Sequence, residues 1–212
     1  MRISIEPVWQ SAVRLGAVVF DGLANRDADP RLDQPLALAA TTARAGVRDA
    51  DIGAVRAMYR RFGIDPTKTR PSSEALLRRV RKGDPLPRVN SLVDISNWCS
   101  LEFQLPYGLY DLEHVRGDII LRGGRAGEEY PGIRKQTVHV AGRPTLVDDD
   151  GPFGNPTSDS ARTMVTTDTH RALVMLYVPR AVSERVLADH LETTASRVLA
   201  IVGGSEVSRA IV

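Results

Sequence analysis

Residues 59–80 read YRRFGIDPTKTRPSSEALLRRV. One helix stops at Gly63 and Pro66, a proline-punctuated loop carries Lys68 and Arg70, and Pro71 and Ser72 open a second helix over 74–81. Leu76, Leu77 and Val80 of that helix point inward, Arg78, Arg79, Arg81 and Lys82 lie outward or flank it, and Gly83 and Pro85 end it. Helices joined this tightly make a rigid platform. Its loop sets cations and the hydroxyls of Thr69, Ser72 and Ser73 at a helix N-terminus, where a phosphate or carboxylate finds N–H donors. Helix capping with salt bridges accounts for the same residues, so both readings stay open.

Toward the N-terminus, residues 14–23 (RLGAVVFDGL) are rich in β-branched side chains and read as a strand. Residues 32–45 form an alanine-rich helix stopped by Gly46, and Asp49 or Asp51 can cap the helix that leads to Gly63. Toward the C-terminus, residues 89–103 read as a helix on which Val89, Val93, Asn97 and Leu101 fall at steps of four, so a carboxamide interrupts an apolar stripe. Asn90, Asp94 and Trp98 form the stripe beside it. A Pro–Gly turn is expected at 106–108, strands at 118–122, 137–140 and 145–147, a glycine-rich loop at 123–132, and a turn-rich loop at 148–162 (DDDGPFGNPTSDSAR). The apolar run 173–178 suits a buried central strand, and 182–202 an amphipathic helix stopped by Gly203 and Gly204. Strands and helices alternate irregularly, with no repeat or linker. The predicted fold is α+β, a single compact mixed domain over 1–212 with sheet layers and packed helices. Residues 1–50 are its N-terminal strand and helix elaboration, and 181–204 its C-terminal helix.

The chain has 212 residues, 42% hydrophobic and 25% charged, the make-up of a globular domain with a sizeable core. No apolar run reaches membrane-spanning length, and MRISIEPVWQ lacks the apolar centre of a signal peptide, so a cytoplasmic protein with no membrane partner is expected. Cys99 is the single cysteine, which excludes an internal disulfide and a cysteine-rich metal site. A net charge of +2 excludes the global field of an architectural nucleic-acid binder. The distribution is nevertheless uneven. Between Arg56 and Arg88, the bases Arg56, Arg60, Arg61, Lys68, Arg70, Arg78, Arg79, Arg81, Lys82 and Arg88 face only Asp65, Glu74 and Asp84. A nucleic-acid surface and a solvated helix face both fit this imbalance.

Familiar catalytic signatures are absent: no G-x-S-x-G, S-x-x-K, G-x-G-x-x-G or P-loop occurs. Cys99 sits mid-helix beside Trp98 and reads as buried filler. His114, His139, His170 and His190 lack metal-ligand spacing, and Asp148, Asp149 and Asp150 read as a solvated turn more readily than as a cation site. No metal and no cofactor is expected. Polar clusters in loops remain. Residues 127–130 set Glu128 and Glu129 after a flexible turn, where one carboxylate could meet an ammonium group or decorate an exposed hairpin. Loop 154–163 (GNPTSDSART) surrounds Asp159 with small hydroxyl residues, a make-up that lines a small polar pocket or closes on itself as Asx and Ser/Thr turns. So long a loop in a compact domain favours the pocket.

Several segments, in order, carry a family likeness: FG-x-x-P-x-K-x-RPS-x-EALLRR (62–79), P-x-VN-x-LVD-x-x-N (87–97), LP-x-GLYDL (105–112), GE-x-Y (127–130) and NPTSDSART (155–163). Together, over residues 55–180, they resemble the editing domain of the bacterial phenylalanyl-tRNA synthetase beta subunit, in the form that occurs as a freestanding protein. The synthetase's catalytic core, cold-shock-like module and anticodon-binding domain have no counterpart in the likeness. The resemblance implies a hydrolase that cleaves the ester of mischarged tRNA in trans, without metal or covalent intermediate, in the service of translation fidelity. Its partner would be aminoacylated tRNA, with the amino acid moiety in the pocket and no obligate protein partner. The implied cargo is tyrosine on phenylalanine tRNA, or canavanine or another polar or basic mimic on arginine tRNA. A non-catalytic tRNA-binding module is one alternative; a small-molecule hydrolase or amino-acid-binding protein that has lost tRNA is another.

An aminoacyl ester is already activated, so its hydrolysis needs a positioned water, donors for the developing oxyanion and capture of the amino acid. Carried onto this chain, Asn97, Asp159 and Thr163 are the catalytic candidates, with Asn97 orienting substrate or water from its helix. Glu129 and Asp159 would meet the α-ammonium or a cationic side chain. Ser158, Ser160 and Thr163 would supply hydrogen bonds, Tyr110 would contact the substrate, and Arg162 would position the pocket or meet the terminal adenosine. Lys68, Arg70, Arg78, Arg79 and Arg81 would contact tRNA phosphates, mostly without reading sequence. Two carboxylates in one pocket favour a polar or basic cargo over tyrosine.

Overall fold

The computed structural model describes residues 1–134 and 136–212. Its first sheet comprises β1 (Ile3–Ile5), β4 (Ile119–Gly123), β7 (Pro144–Asp148) and β8 (Gly151–Gly154), in the order β1-β4-β7-β8, with β1 and β4 parallel and the other pairs antiparallel. The second comprises β2 (Val13–Asp21), β3 (Tyr107–Asp111), β9 (Ala172–Pro179) and β10 (Ser205–Ile211), in the order β10-β2-β9-β3, and is antiparallel throughout. A separate hairpin pairs β5 (Glu129–Pro131) with β6 (Thr137–His139). Helices α1 (Asp33–Ala45), α2 (Asp49–Arg61), α3 (Ser72–Arg81), α4 (Ser91–Phe103) and α5 (Glu184–Ile201) pack on and beside the sheets. The fold is the α+β mixture that irregular alternation predicts.

The apolar run 173–178 lies in β9, an inner strand buried along its whole length between β2 and β3. Residues 1–50 supply β1 and the inner strand β2, so they belong to both sheets. Side chains alternate across a sheet, and the register assigns them. Gly16 and Tyr107 both lie opposite Leu176, on the face that α5 covers. There Tyr107 Oη lies 2.9 Å from Thr194 Oγ1, and a Cβ on Gly16 would lie 2.7 Å from Leu187 Cδ1. The other face carries Gly108, Tyr110 and Tyr177 and looks toward β8 and the loop that follows it. Because α5 leaves no room, Gly16→Val should overpack this interface and cost about 1–3 kcal/mol in a denaturant melt. Gly53→Ala in α2, where an added Cβ meets nothing within 4 Å, should instead stabilise, by up to about 1 kcal/mol.

Several elements differ from the sequence-based expectation. The turn expected at 106–108 is the start of β3; Gly108 marks a close approach there, since its Cβ would lie 2.3 Å from Tyr110 Oη. Residues 205–211 form β10, although SEVSRAI has no buried face and so no alternating pattern to read. Gly203 and Gly204, both at φ +80, turn the chain back from α5 to reach it. β5 and β8 fall in stretches expected as loops, each too short to show a period. Helix α2 has no side-chain cap; Asp51 instead pairs with Arg48 at 2.9 Å. On α4 the buried apolar residues are Leu92, Ile95, Cys99 and Leu101; of the expected stripe Leu101 alone is buried, Val93 and Asn97 are half-buried, and Val89 precedes the helix, exposed. Asn90 caps α4 through the Val93 N–H (3.0 Å), and buried Asp94 holds Arg88 at 2.7 Å. No helix among the described residues is long and apolar enough to cross a membrane.

Candidate functional site

The loop 155–159 leaves β8 and is held from beneath by phenols. Tyr59 of α2 donates to the Pro156 carbonyl (2.8 Å), and Tyr130 of β5 donates to the Ser158 carbonyl (2.6 Å) while accepting from Asn155 Nδ2 (2.9 Å). Tyr110 of β3 donates to Asp159 Oδ1 at 2.8 Å, and its oxygen lies 2.8 Å from that of Tyr177 on β9. Within the loop, Asn155 Oδ1 accepts from the N–H groups of Thr157 (2.8 Å) and Ser158 (3.0 Å), closing an Asx turn. Glycines leave Tyr110 its slot: a Cβ on Gly154 would lie 2.4 Å from Tyr110 Oη, much as at Gly108.

This cradle sets the chemistry of Asp159. Burial pushes its carboxyl up to about 7, and the Tyr110 hydrogen bond offsets only part of that rise. Burial, reinforced by the Asp159 charge, holds the phenols of Tyr110 and Tyr177 well above their ordinary range, so both stay protonated. A carboxyl with its midpoint near neutrality can accept and return a proton during a reaction.

Asp159 opens into a cleft of about 510 Å³ between α3, α4 and the β5–β6 hairpin. Ser96 and Asn97 face it from α4, Arg70 and Ser72 from the start of α3, Arg134 and Gln136 from the hairpin, and Thr157 and Ser158 from the loop. The rim is apolar, with Leu76, Val89, Val93 and Ile133. The side chains of Ser96, Asn97 and Ser158 form no hydrogen bond with another described residue, and Ser72 Oγ is buried without a partner among them. Unpartnered polar groups around a titratable carboxyl suit a ligand site and are avoided in a packed core.

Of the residues singled out in the sequence, Asn97, Ser158, Asp159 and Arg70 meet in this cleft. Tyr110 lies beneath it, bonded to Asp159. Thr163 is fully buried; its carbonyl accepts from the Asp111 N–H (2.9 Å), and its hydroxyl has no partner among the described residues. Ser160 is also buried and accepts from the Arg162 N–H at 3.1 Å. Arg162 does not line the cleft. It grips Asp148 through bonds of 3.0 and 2.8 Å, donates to the His114 carbonyl at 2.8 Å and lies 5.6 Å from the Phe153 ring. Asp148 also accepts from the N–H groups of Arg116 and Asp150, and no group of His, Cys, Asp or Glu among the described residues is arranged to hold a metal ion.

Glu129 is exposed on β5 and pairs with His139 at 2.9 Å, outside the cleft. Its neighbour Glu128 is clamped by Arg122 (2.7 and 2.8 Å), which with the Arg125 N–H holds that carboxyl down at about 2. Lys68 is exposed, and Arg79 folds back onto the Pro85 carbonyl at 2.6 Å. Arg78 and Arg81 line a separate groove that also reaches Arg70. Sequence reasoning does not single out Tyr59, Tyr177, Ser96 or Gln136. One signal was present: a tyrosine inside the apolar run 173–178 needs a partner for its hydroxyl once buried.

The α+β fold thus lifts Asp159 into an open polar cleft. The chain belongs to the B3/4 domain family, which matches residues 54–199. It is similar to phenylalanine–tRNA ligase beta subunits. Identity is 29% over 111 residues with that of Ralstonia nicotianae, covering 50% of this chain and 14% of the relative. With that of Leifsonia xyli subsp. xyli it is 31% over 112 residues, covering 52% and 13%. The chain therefore corresponds to a small part of these proteins. An N-terminal fragment of the phenylalanyl-tRNA synthetase beta-subunit from Pyrococcus horikoshii shares the fold, with a TM-score of 0.50 at 11% identity, over 92% of this chain and 48% of that one. The resemblance carried by the sequence segments is thereby confirmed: the chain is a fragment-sized homologue of that beta subunit.

Proposed function

We propose that the protein hydrolyses the ester of mischarged aminoacyl-tRNA in trans, in the cytoplasm, with Asp159 and Asn97 at the reacting centre. The Asp159 carboxyl carries this reading, poised near neutrality at the base of a cleft where the side chains of Ser72, Ser96, Asn97 and Ser158 have no partner among the described residues. As a carboxylate it takes a proton from the water that attacks the ester carbonyl. The new C–O bond forms, the bond to the ribose oxygen breaks, and the proton passes to the leaving hydroxyl. The Asn97 amide and the Ser158 hydroxyl face the same space and act as donors to the oxyanion, each contributing about 3 kcal/mol. Tyr110 and Tyr177 are positioning residues that hold the carboxyl from below.

With Glu129 outside the cleft, the second carboxylate that favoured a basic cargo is missing. Arg70 and Arg134 line the cleft alongside the single carboxyl of Asp159, and the rim is apolar. A neutral side chain fits these walls better than a guanidinium, which puts tyrosine on phenylalanine tRNA ahead of canavanine on arginine tRNA. A second reading, a tRNA-binding module without chemistry, is supported by the cationic groove that adjoins the cleft. Single-turnover release from tyrosyl-tRNA(Phe), canavanyl-tRNA(Arg) and correctly charged controls separates them. Wild type should release tyrosine and spare phenylalanine, and Asn97→Ala should slow release about a hundredfold. Release from none of these, with tight salt-sensitive binding of tRNA, would leave the binding module.

A further inference from the structure

We infer that the groove between α2 and α3 is a track for an RNA phosphodiester backbone, which reaches the cleft past Arg70. What lies at the end of the track rests on the proposed ester hydrolysis; the groove itself does not. Arg56, Arg70, Arg78, Arg81 and Lys82 surround a space of about 460 Å³, with Glu74 and Asp49 as its carboxylates. Of the other cations of this region, Arg60 and Lys68 are exposed and lie outside the groove, and the rest are committed to the fold. Arg88 holds Asp94 at 2.7 Å, Arg61 donates to the Ser11 carbonyl at 2.6 Å, and Arg79 is folded onto Pro85.

Arg78, Arg81 and Lys82 differ. They are exposed and form no ion pair or side-chain hydrogen bond with a described residue. Their spacing of i, i+3 and i+4 on one helix keeps like charges adjacent, which disfavours the helix by about 0.2–0.5 kcal/mol per pair. The helix dipole favours cations in this last turn, but the mutual repulsion of three neighbours is relieved by a polyanion. At the other end, Glu74 takes Arg56 through bonds of 2.6 and 2.8 Å and lies 3.5 Å from Arg70 Nε, so it fixes both arginines in place. Arg70 lines the groove and the cleft alike, which makes the run of cations continuous with the cleft mouth. Helix α3 has 10 residues and so rises about 15 Å, the reach of about four nucleotides at 3.4 Å per step of a strand. No aromatic side chain lines the groove among the described residues, so it positions the backbone without reading bases. Lys68 and Arg79 lie off the track, and Arg56 and Lys82 join it.

The test compares Arg78→Gln/Arg81→Gln with the charge-matched Arg60→Gln/Arg171→Gln, both exposed, in the full chain, by fluorescence anisotropy with uncharged tRNA across a salt series. The groove pair should weaken binding at least tenfold at low salt and flatten the slope of log affinity against log salt by about 1.4–1.8. The control pair should keep wild-type affinity and slope. Both should cleave aminoacyl-adenosine, an ester without a polynucleotide, at the wild-type rate. Wild-type tRNA binding by the groove pair, or an equal loss in the control pair, overturns the track. So does a groove pair that loses polyglutamate binding while tRNA binding stays, which assigns the groove to an acidic polypeptide. A wild-type protein that leaves aminoacyl-adenosine intact, with the salt slope changed as expected, sinks the ester chemistry and keeps the track.

Discussion

Asp159→Asn should lower ester hydrolysis by about 10²–10⁴-fold and, in the same protein, raise resistance to unfolding at pH 8. The sign follows from linkage. The folded chain keeps the Asp159 proton up to about 7, whereas a free aspartate releases it near 3.8. Between those values the native state binds more protons, so stability falls as pH rises across the window, and above it the buried charge weighs fully on the fold. Asparagine has the same shape, keeps an oxygen for the Tyr110 hydroxyl and never ionises. At pH 8 its gain has a ceiling of about 4 kcal/mol, the free energy of a shift of that size; at pH 4 the two proteins should unfold alike. Urea melts at both pH values check this, and equal stability at pH 8 would show that the carboxyl is not poised. The wild-type kcat/KM should rise with pH through about 7 and then level off, because the reacting form is the carboxylate.

Arg162→Met should destabilise the protein by about 3–5 kcal/mol while leaving ester release per folded molecule within a small factor of wild type. The Asp148 side chain is wholly buried, and Arg162, 29% exposed, is its charged partner. Removing the cation strands a charge in the interior, which costs far more than the pair contributes. The double variant Asp148→Asn/Arg162→Met should recover most of the loss, since no buried charge is then left unpaired. Thermal melts beside single-turnover assays read both quantities. A loss of rate in folded Arg162→Met, with no change in melting, would return this arginine to the substrate.

Local signals in this chain proved informative where an element's identity is decided locally. The apolar run 173–178, the glycine stops and the proline-flanked loop before α3 all mark real boundaries. The clustering of small hydroxyl residues around Asp159, and the carboxamide at Asn97 in an apolar row, were visible because a packed core has no use for either; both line the same cleft. What could not be read was the partner of each charge. Glu128 and Glu129 look equivalent in sequence, yet Arg122 claims one across the turn that follows β4, and His139 the other across the β5–β6 pairing. Arg162 sits in the most suggestive loop of the chain and spends its charge on Asp148, fourteen positions upstream. The basic excess between Arg56 and Arg88 likewise thins once Arg56, Arg79 and Arg88 are seen to hold Glu74, a carbonyl and Asp94. β10, with no buried face, was invisible for the opposite reason: it is specified by its pairing with β2 rather than by its own pattern.

The phenolic cradle also sets when Asp159 acquires its raised affinity for a proton. Its bonds join positions 97, 49 and 28 residues apart, and Tyr177 adds a span of 67 from Tyr110. Such distant closures carry a loop-entropy cost that local helices do not meet. Until β9 has docked, Asp159 is an ordinary acidic side chain in water, whose carboxylate is too weak a base for the proposed chemistry. On the proposed chemistry a nascent or partly unfolded chain is thus silent, and activity is expected only as the sheet closes.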